Sequence, residues 1–206
     1  MIKVEKFTVG PLESNSYLVY SAGNTKCLII DAGGDYDIIS ARAKILGLTV
    51  GALLLTHGHF DHTAEAFKAQ NSGVKVYISK KDAYMLSSAT DSLASGFGVA
   101  YRPTENYSVI DSGVFDICGF NVEVIDTPGH TAGSLCYKIE DALFAGDTVF
   151  KYGYGRYDLP TGSFSDLVNS FKKLKKYSDL KVFCGHGEET DLEREKKINP
   201  LFLYED

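Results

Sequence analysis

Short apolar blocks recur along the chain, separated by clusters of Gly, Pro, Asn and Asp. Blocks of this length between turn signals predict strands at Ile2–Val9, Ser16–Ser21, Lys26–Asp31, Ala52–Leu55, Lys75–Ile78, Gly119–Asp126, Ser134–Ile139, Ala142–Ala145 and Lys181–Phe183. Several, such as LIID at 28–31, ALLL at 52–55 and ALFA at 142–145, are unbroken runs rather than alternations. A strand covered on both faces carries that pattern. Helical periodicity falls between the strands, at Tyr36–Leu46, Thr63–Gln70, Lys81–Leu86, Phe164–Tyr177 and Leu192–Ile198. In the first of these, Ile38, Ile39, Ala43 and Leu46 are expected on one side. Ser163 is expected to cap the Phe164 helix, with Lys172, Lys173, Lys175 and Lys176 near its C-terminal end, where the helix dipole favours cations. Ser87–Ser108 has no periodicity and reads as a long loop, a candidate lid. With no repeat and no linker, residues 1–206 read as one domain, sheets packed together with helices outside.

Composition narrows the class. Apolar residues make up 44% and charged residues 23% of 206, a globular balance able to build a core without disulfides. The formal net charge of −6 argues against a nucleic-acid or anionic-membrane partner. No run reaches the length of a membrane span, and the N-terminus, with Lys3, Glu5 and Lys6, has no apolar leader core. A cytoplasmic protein is the expectation. Cys27, Cys118, Cys136 and Cys184 form no CxxC pair and read as reduced, small apolar residues rather than zinc ligands.

The candidate chemistry lies with the five histidines. His57, His59 and His62 fall with Asp61 in the segment THGHFDH, just after the ALLL strand. Imidazole and carboxylate are the natural ligands of a borderline divalent cation, and the one-residue gap at Gly58 lets two rings converge. Asp61 and His62 are expected in the first turn of the following helix, facing the same pocket. Four ligand-type side chains in six residues exceed the needs of one ion and point to two. His130 in TPGHT, Asp147 in AGDT and His186 in CGHG each follow a predicted strand and sit beside glycine. Taken singly, His130 and His186 would read as surface residues and Asp147 as a turn residue; the shared strand-end setting groups them with the cluster.

At these residues the chain resembles the metallo-β-lactamase superfamily. The likeness also includes NSYLV at 15–19 and IDAG at 30–33, and extends over essentially the whole chain. GRYDLP at 155–160 and EKKINP at 195–200 resemble the compact glyoxalase II-like (hydroxyacylglutathione hydrolase-like) branch. The resemblance implies an α+β fold, a four-layer αββα sandwich. It implies two divalent ions, zinc first with iron or manganese as alternatives. His57, His59 and His130 would hold one, Asp61, His62 and His186 the other, and Asp147 would bridge both. Asp61 would also orient the attacking water or accept its proton. The implied reaction is hydrolysis of a small thioester, with a small-molecule acyl substrate and neither nucleic acid nor membrane as partner; the oligomeric state stays open. Full-length glyoxalase II enzymes add a C-terminal helical segment that supplies basic residues for glutathione. Only Gly187–Asp206 follow His186 here, so glutathione recognition is not carried over. Tyr152, Tyr154, Tyr157 and Arg156 are candidates for the substrate mouth, with an Arg156–Asp158 ion pair the stronger reading of the arginine. The alternatives on the same fold are a mononuclear iron persulfide dioxygenase using His57, His130 and Asp147, and a lactonase or phosphodiesterase. A purely structural zinc is disfavoured, because seven candidate ligands exceed the four that close such a site.

Overall fold

Successive side chains of the apolar strands are buried on opposite faces, and this alternation sets the architecture. The computed structural model describes residues 1–204. Its elements are β1 (Ile2–Val9), β2 (Ser14–Ser21), β3 (Lys26–Ile30), α1 (Tyr36–Ile45), β4 (Thr49–Leu54), α2 (Phe60–Thr63), α3 (Ala66–Asn71) and β5 (Lys75–Ile78). Two 3₁₀ turns, Ala83–Ser87 and Ala94–Phe97, precede β6 (Ser108–Val109), β7 (Gly113–Ile117), β8 (Phe120–Asp126), β9 (Leu135–Ile139) and β10 (Ala142–Gly146). Then follow β11 (Val149–Phe150), β12 (Gly153–Tyr154), α4 (Phe164–Leu174), β13 (Lys181–Cys184), β14 (Thr190–Asp191) and α5 (Leu192–Ile198).

One sheet runs β1-β2-β3-β4-β5-β6, antiparallel through β3 and parallel from there on. The other runs β14-β13-β10-β9-β8-β7, with β10 and β13 parallel. Leu28, Ile30, Ala52 and Leu54 of the first sheet pack with Val122, Val124, Tyr137 and Phe144 of the second. Their neighbours Cys27, Ile29, Leu53 and Leu55 turn the other way, onto Ile39, Ala43, Ala66 and Ala69 of the helices. Behind the second sheet, Cys136, Leu143, Ala145 and Val182 pack with Leu167, Phe171, Leu174 and Leu192. The result is the expected α+β sandwich of helix, sheet, sheet and helix. No helix among the described residues is long and apolar enough to cross a membrane.

At one end the two sheets are stitched together. Tyr137 Oη donates to Leu55 O at 2.7 Å, Leu135 N to Thr56 O at 2.8 Å, and Tyr17 Oη to Cys184 O. Asn15 N donates to Gly185 O at 2.7 Å, and its side-chain amide to Cys184 O and Gly187 O. This is the end at which β4, β8, β10 and β13 terminate.

Several expectations need correction. The expected Thr63–Gln70 helix is two helices, and Asp61 and His62 belong to the short α2. The break occurs because Glu65 N donates to Ala32 O at 2.8 Å while the Glu65 carboxylate accepts from Tyr36 N at 2.7 Å, anchoring α1. Lys81–Leu86 is a 3₁₀ turn shifted to Ala83–Ser87. The Phe164 helix is capped by Ser163, which accepts from Asp166 N, but it ends at Leu174 rather than Tyr177. In α1 the buried residues are Tyr36, Ile39 and Ala43, and Ile38 is 60% exposed, about 100° around the helix from the buried stripe.

Candidate metal centre

All seven candidate ligands meet at the stitched end of the sandwich. THGHFDH carries on from β4 into α2; His130 lies between β8 and β9, Asp147 directly after β10, and His186 after β13. The Nε2 or Nδ1 atoms and carboxylate oxygens form three groupings, within each of which the atoms lie no more than 4.8 Å apart: His57, His59 and His130; His57, His62 and Asp147; Asp61, His62 and His186. Asp147 spans the cluster. Its Oδ1 is 3.3 Å from His62 Nε2, and its Oδ2 is 3.5 Å from His130 Nε2 and 3.6 Å from His186 Nε2. Asp61 Oδ2 lies 3.1 Å from His186 Nε2 and 3.5 Å from His62 Nε2.

The hydrogen bonds behind the rings decide which nitrogens can ligate. His62 Nδ1 contacts Asp31 Oδ2 at 2.8 Å, His130 Nδ1 contacts Arg156 O at 2.7 Å, and His186 Nδ1 contacts Leu12 O at 3.1 Å. Carboxylates and carbonyls only accept, so each Nδ1 carries a hydrogen, and Nε2 is the nitrogen left to ligate toward the centre once the ring is neutral. The Thr56 hydroxyl donates to Asp31 Oδ2 at 2.8 Å, so Thr56 Oγ1 accepts from His57 Nδ1 at 3.1 Å, and His57 Nε2 is likewise a lone pair. His57 Nε2 and Asp147 Oδ1 are buried and make no hydrogen bond within the protein. Lone pairs converging in a buried space with nothing to accept from are a costly arrangement unless a cation sits among them. The donor set and its orphaned atoms therefore fit divalent cations.

Electrostatics follow from the same crowding. Burial holds His57 well below its ordinary value, aided by His62 and His130, and brings His59 down to about 3. Burial opposes charge on His62, but Asp61, Asp147 and Asp31 outweigh it and hold the ring well above its ordinary value. Burial likewise opposes the Asp61 and Asp147 carboxylates, yet the surrounding imidazoles keep both low. The thiols are no rival nucleophiles. Burial pushes Cys27 and Cys136 up to about 11 and Cys184 up to about 12, and none of the four is in a disulfide.

Two glycines make the convergence feasible. A Cβ on Gly185 would lie 2.0 Å from Asp147 Oδ1, and one on Gly58 would lie 2.4 Å from Met85 Sδ. Two carboxylates outside the sequence-derived set also serve the centre. Asp31 accepts from Thr56 N at 2.7 Å as well as from Thr56 Oγ1 and His62. Asp82, fully buried, accepts from Gly58 N at 3.0 Å and Thr131 Oγ1 at 2.6 Å, tying the His57–His59 segment to the His130 loop. An acid directly behind the apolar run LII could have flagged Asp31; nothing local marks Asp82. Of the expected mouth residues, Arg156 lines the cavity and is held in a two-pronged pair with Asp158. The tyrosines turn elsewhere: Tyr152 lies under Arg194, Tyr154 against Phe171 and Tyr157 against Phe164.

The family model described as the metallo-beta-lactamase superfamily matches residues 9–186. Among curated proteins, the chain is 34% identical to "Probable metallo-hydrolase YqgX" of Bacillus subtilis, covering 97% of each. It is 32% identical to "Hydroxyacylglutathione hydrolase GloC" of Haemophilus influenzae, covering 97% of this chain and 98% of that protein. Among solved structures, the BLEG-1 B3 metallo-beta-lactamase superposes with a TM-score of 0.88 at 29% identity, covering 99% of this chain and 100% of that one. TTHA1623 in a di-iron-bound form gives 0.84 at 32% identity, covering 96% and 99%.

Proposed function

The chain belongs to the metallo-beta-lactamase superfamily as a metal-dependent hydrolase, and from that premise we propose that it cleaves small thioesters at a two-cation centre. His57, His59 and His130 would hold one ion, Asp61, His62 and His186 the other, with Asp147 shared. The observation that carries this reading is the set of lone pairs aimed inward, above all the orphaned His57 Nε2 and Asp147 Oδ1. Divalent cations supply Lewis acidity toward a carbonyl oxygen and a water acidic enough to ionise near neutral pH. The protein's part is positional. Asp31, the Arg156 carbonyl and the Leu12 carbonyl fix three rings in the ligating tautomer, so no reorientation is needed during the reaction. Asp61 lines the cavity, and its carboxylate, held ionised by the neighbouring imidazoles, would accept a hydrogen bond from the attacking water and orient it. No serine or cysteine nucleophile is required.

The name of the Haemophilus influenzae relative supports the thioester class, and the imidazole-rich ligand set suits zinc. The di-iron-bound relative at 32% identity favours iron as the second candidate occupant. The test combines metal analysis with turnover of a thioester, a lactone, a β-lactam and a phosphodiester by the same sample. Two ions per chain, preferential thioester cleavage, loss with chelator and recovery on metal addition are expected. Undiminished turnover after complete removal of metal would sink the reading, as would preferential cleavage of another ester class.

A further inference from the structure

Beyond the ligands, the walls of the cavity carry information about what enters it. The cavity of about 320 Å³ over the centre is lined, apart from the metal-site residues and Arg156, by Leu12, Phe60, Leu93, Phe97, Phe150 and Leu159. These side chains come from five separate places in the chain and line the same cavity as Asp61 and His186. Phe97 is 57% exposed yet its ring lies 5.2 Å from that of Phe60, so it overhangs the opening rather than the core. Leu93 is held at φ +70°, a left-handed conformation that is costly for a leucine, in the same segment. The segment thus keeps two apolar side chains at the lip where solvent exposure alone would favour polar ones.

Charge points the same way. Glutathione carries two carboxylates and an ammonium group, and its recognition calls for unpaired cations at the rim. Among the described residues that line the cavity, the one cation other than the histidines is Arg156, and its Nε and Nη2 donate to the two oxygens of Asp158, which offsets its charge. Lys151, beside the His186 loop, is paired with Glu188, and Lys6 is bonded to Gly187 O.

We infer that the substrate presents an apolar acyl chain to this wall, and that the enzyme prefers medium-chain acyl thioesters of a small neutral thiol to S-lactoylglutathione. The inference rests on the thioester reading above. An acyl chain of a few carbons has its carbonyl at the centre and its methylenes against Leu93 and Phe97, with Phe60 buried beneath the Phe97 ring.

The test uses the metal-loaded enzyme and a series of S-acyl-N-acetylcysteamines from acetyl to octanoyl, with S-lactoylglutathione alongside. The expected result is a rise in kcat/KM of about threefold per methylene up to hexanoyl, somewhat less than full burial of each group would give. Phe97→Ala is expected to cut the hexanoyl-to-acetyl ratio at least about fivefold, with Phe97→Leu retaining most of it. Calorimetric binding of the product carboxylates, acetate to octanoate, reads the same wall without turnover. A flat chain-length profile with efficient cleavage of S-lactoylglutathione would overturn the inference and leave the thioester reading standing. If no thioester is cleaved, the thioester reading falls. The carboxylate titration then decides the wall separately: affinity rising with chain length supports it and equal affinities overturn it.

Discussion

Asp31→Asn tests whether the centre is organised from behind its ligands. The carboxylate accepts three hydrogen bonds, from Thr56 N at 2.7 Å and from Thr56 Oγ1 and His62 Nδ1 at 2.8 Å each. Asparagine keeps one accepting oxygen and replaces the other with an NH₂ group. In either amide orientation a donor then faces a donor in a buried site, costing about 1–3 kcal/mol of folding stability. The backbone gives no objection, since Asp31 sits at φ +60°, a region asparagine tolerates. The larger consequence concerns His62. Because the backbone N–H of Thr56 cannot turn acceptor, the amide oxygen stays on its side and the NH₂ faces Nδ1; the ring relieves that clash by moving its hydrogen to Nε2, and the lone pair toward Asp61, Asp147 and His186 is lost. Removal of such an orienting partner lowers metal affinity about 10- to 100-fold. That corresponds to about 1.4–2.7 kcal/mol. Stepwise competition with a chromogenic chelator, counting ions per chain, reads this directly, with urea unfolding of the ion-free protein as the measure of folding cost. The weaker of the two ions is expected to go first. Wild-type affinity for both ions in a folded variant would refute the tautomer argument.

Other changes probe other supports. Gly185→Ala places a Cβ 2.0 Å from Asp147 Oδ1, so metal content and turnover should collapse while far-ultraviolet circular dichroism keeps the sheet signal; full metal occupancy would contradict the close approach. Tyr137→Phe leaves Leu55 O without its donor at 2.7 Å and should cost about 1–3 kcal/mol in urea unfolding; an unchanged midpoint would count against the stitch. The pH dependence of ion-free stability combines opposite signs. His59 is lowered to about 3 and His57 is lowered too, so their contribution is present above the ordinary histidine value of 6.5 and is lost as pH falls toward 3. His62 and His186 are raised, so theirs is full below 6.5 and is lost as pH rises through their folded values. Denaturation in chelator should therefore show greatest stability close to pH 6.5, and a monotonic profile across pH 4–9 would refute the assignment.

The strands most legible in the sequence were those that the sandwich covers twice. ALLL, LII and ALFA are apolar at every position because one neighbour faces the other sheet and the next faces a helix. β7 was missed because its middle residues, Val114, Phe115 and Asp116, are exposed at a sheet edge, and β6, β11, β12 and β14 are two residues long. The cluster of candidate ligands is legible because imidazoles so close together have few other uses. What lay behind the rings was not. Three of the ring nitrogens are held by backbone carbonyls or by the strand-end Asp31, and a carbonyl leaves no mark in a sequence. Asp82 acts across 24 residues to Gly58 and 49 to Thr131, a relation only the folded chain reveals.

The sewn end of the sandwich has a mechanical corollary. Ligand-bearing segments hang from both sheets, His57 to His62 from one and His130, Asp147 and His186 from the other. The spacing between the His57–His62 segment and His130, Asp147 and His186 is thus a caliper reading of how the sheets are clamped, with the Tyr137 and Tyr17 hydroxyls as bolts. A substitution in the inter-sheet filling, far from any ligand, would retune that spacing, so reactivity can drift through residues that never touch the substrate.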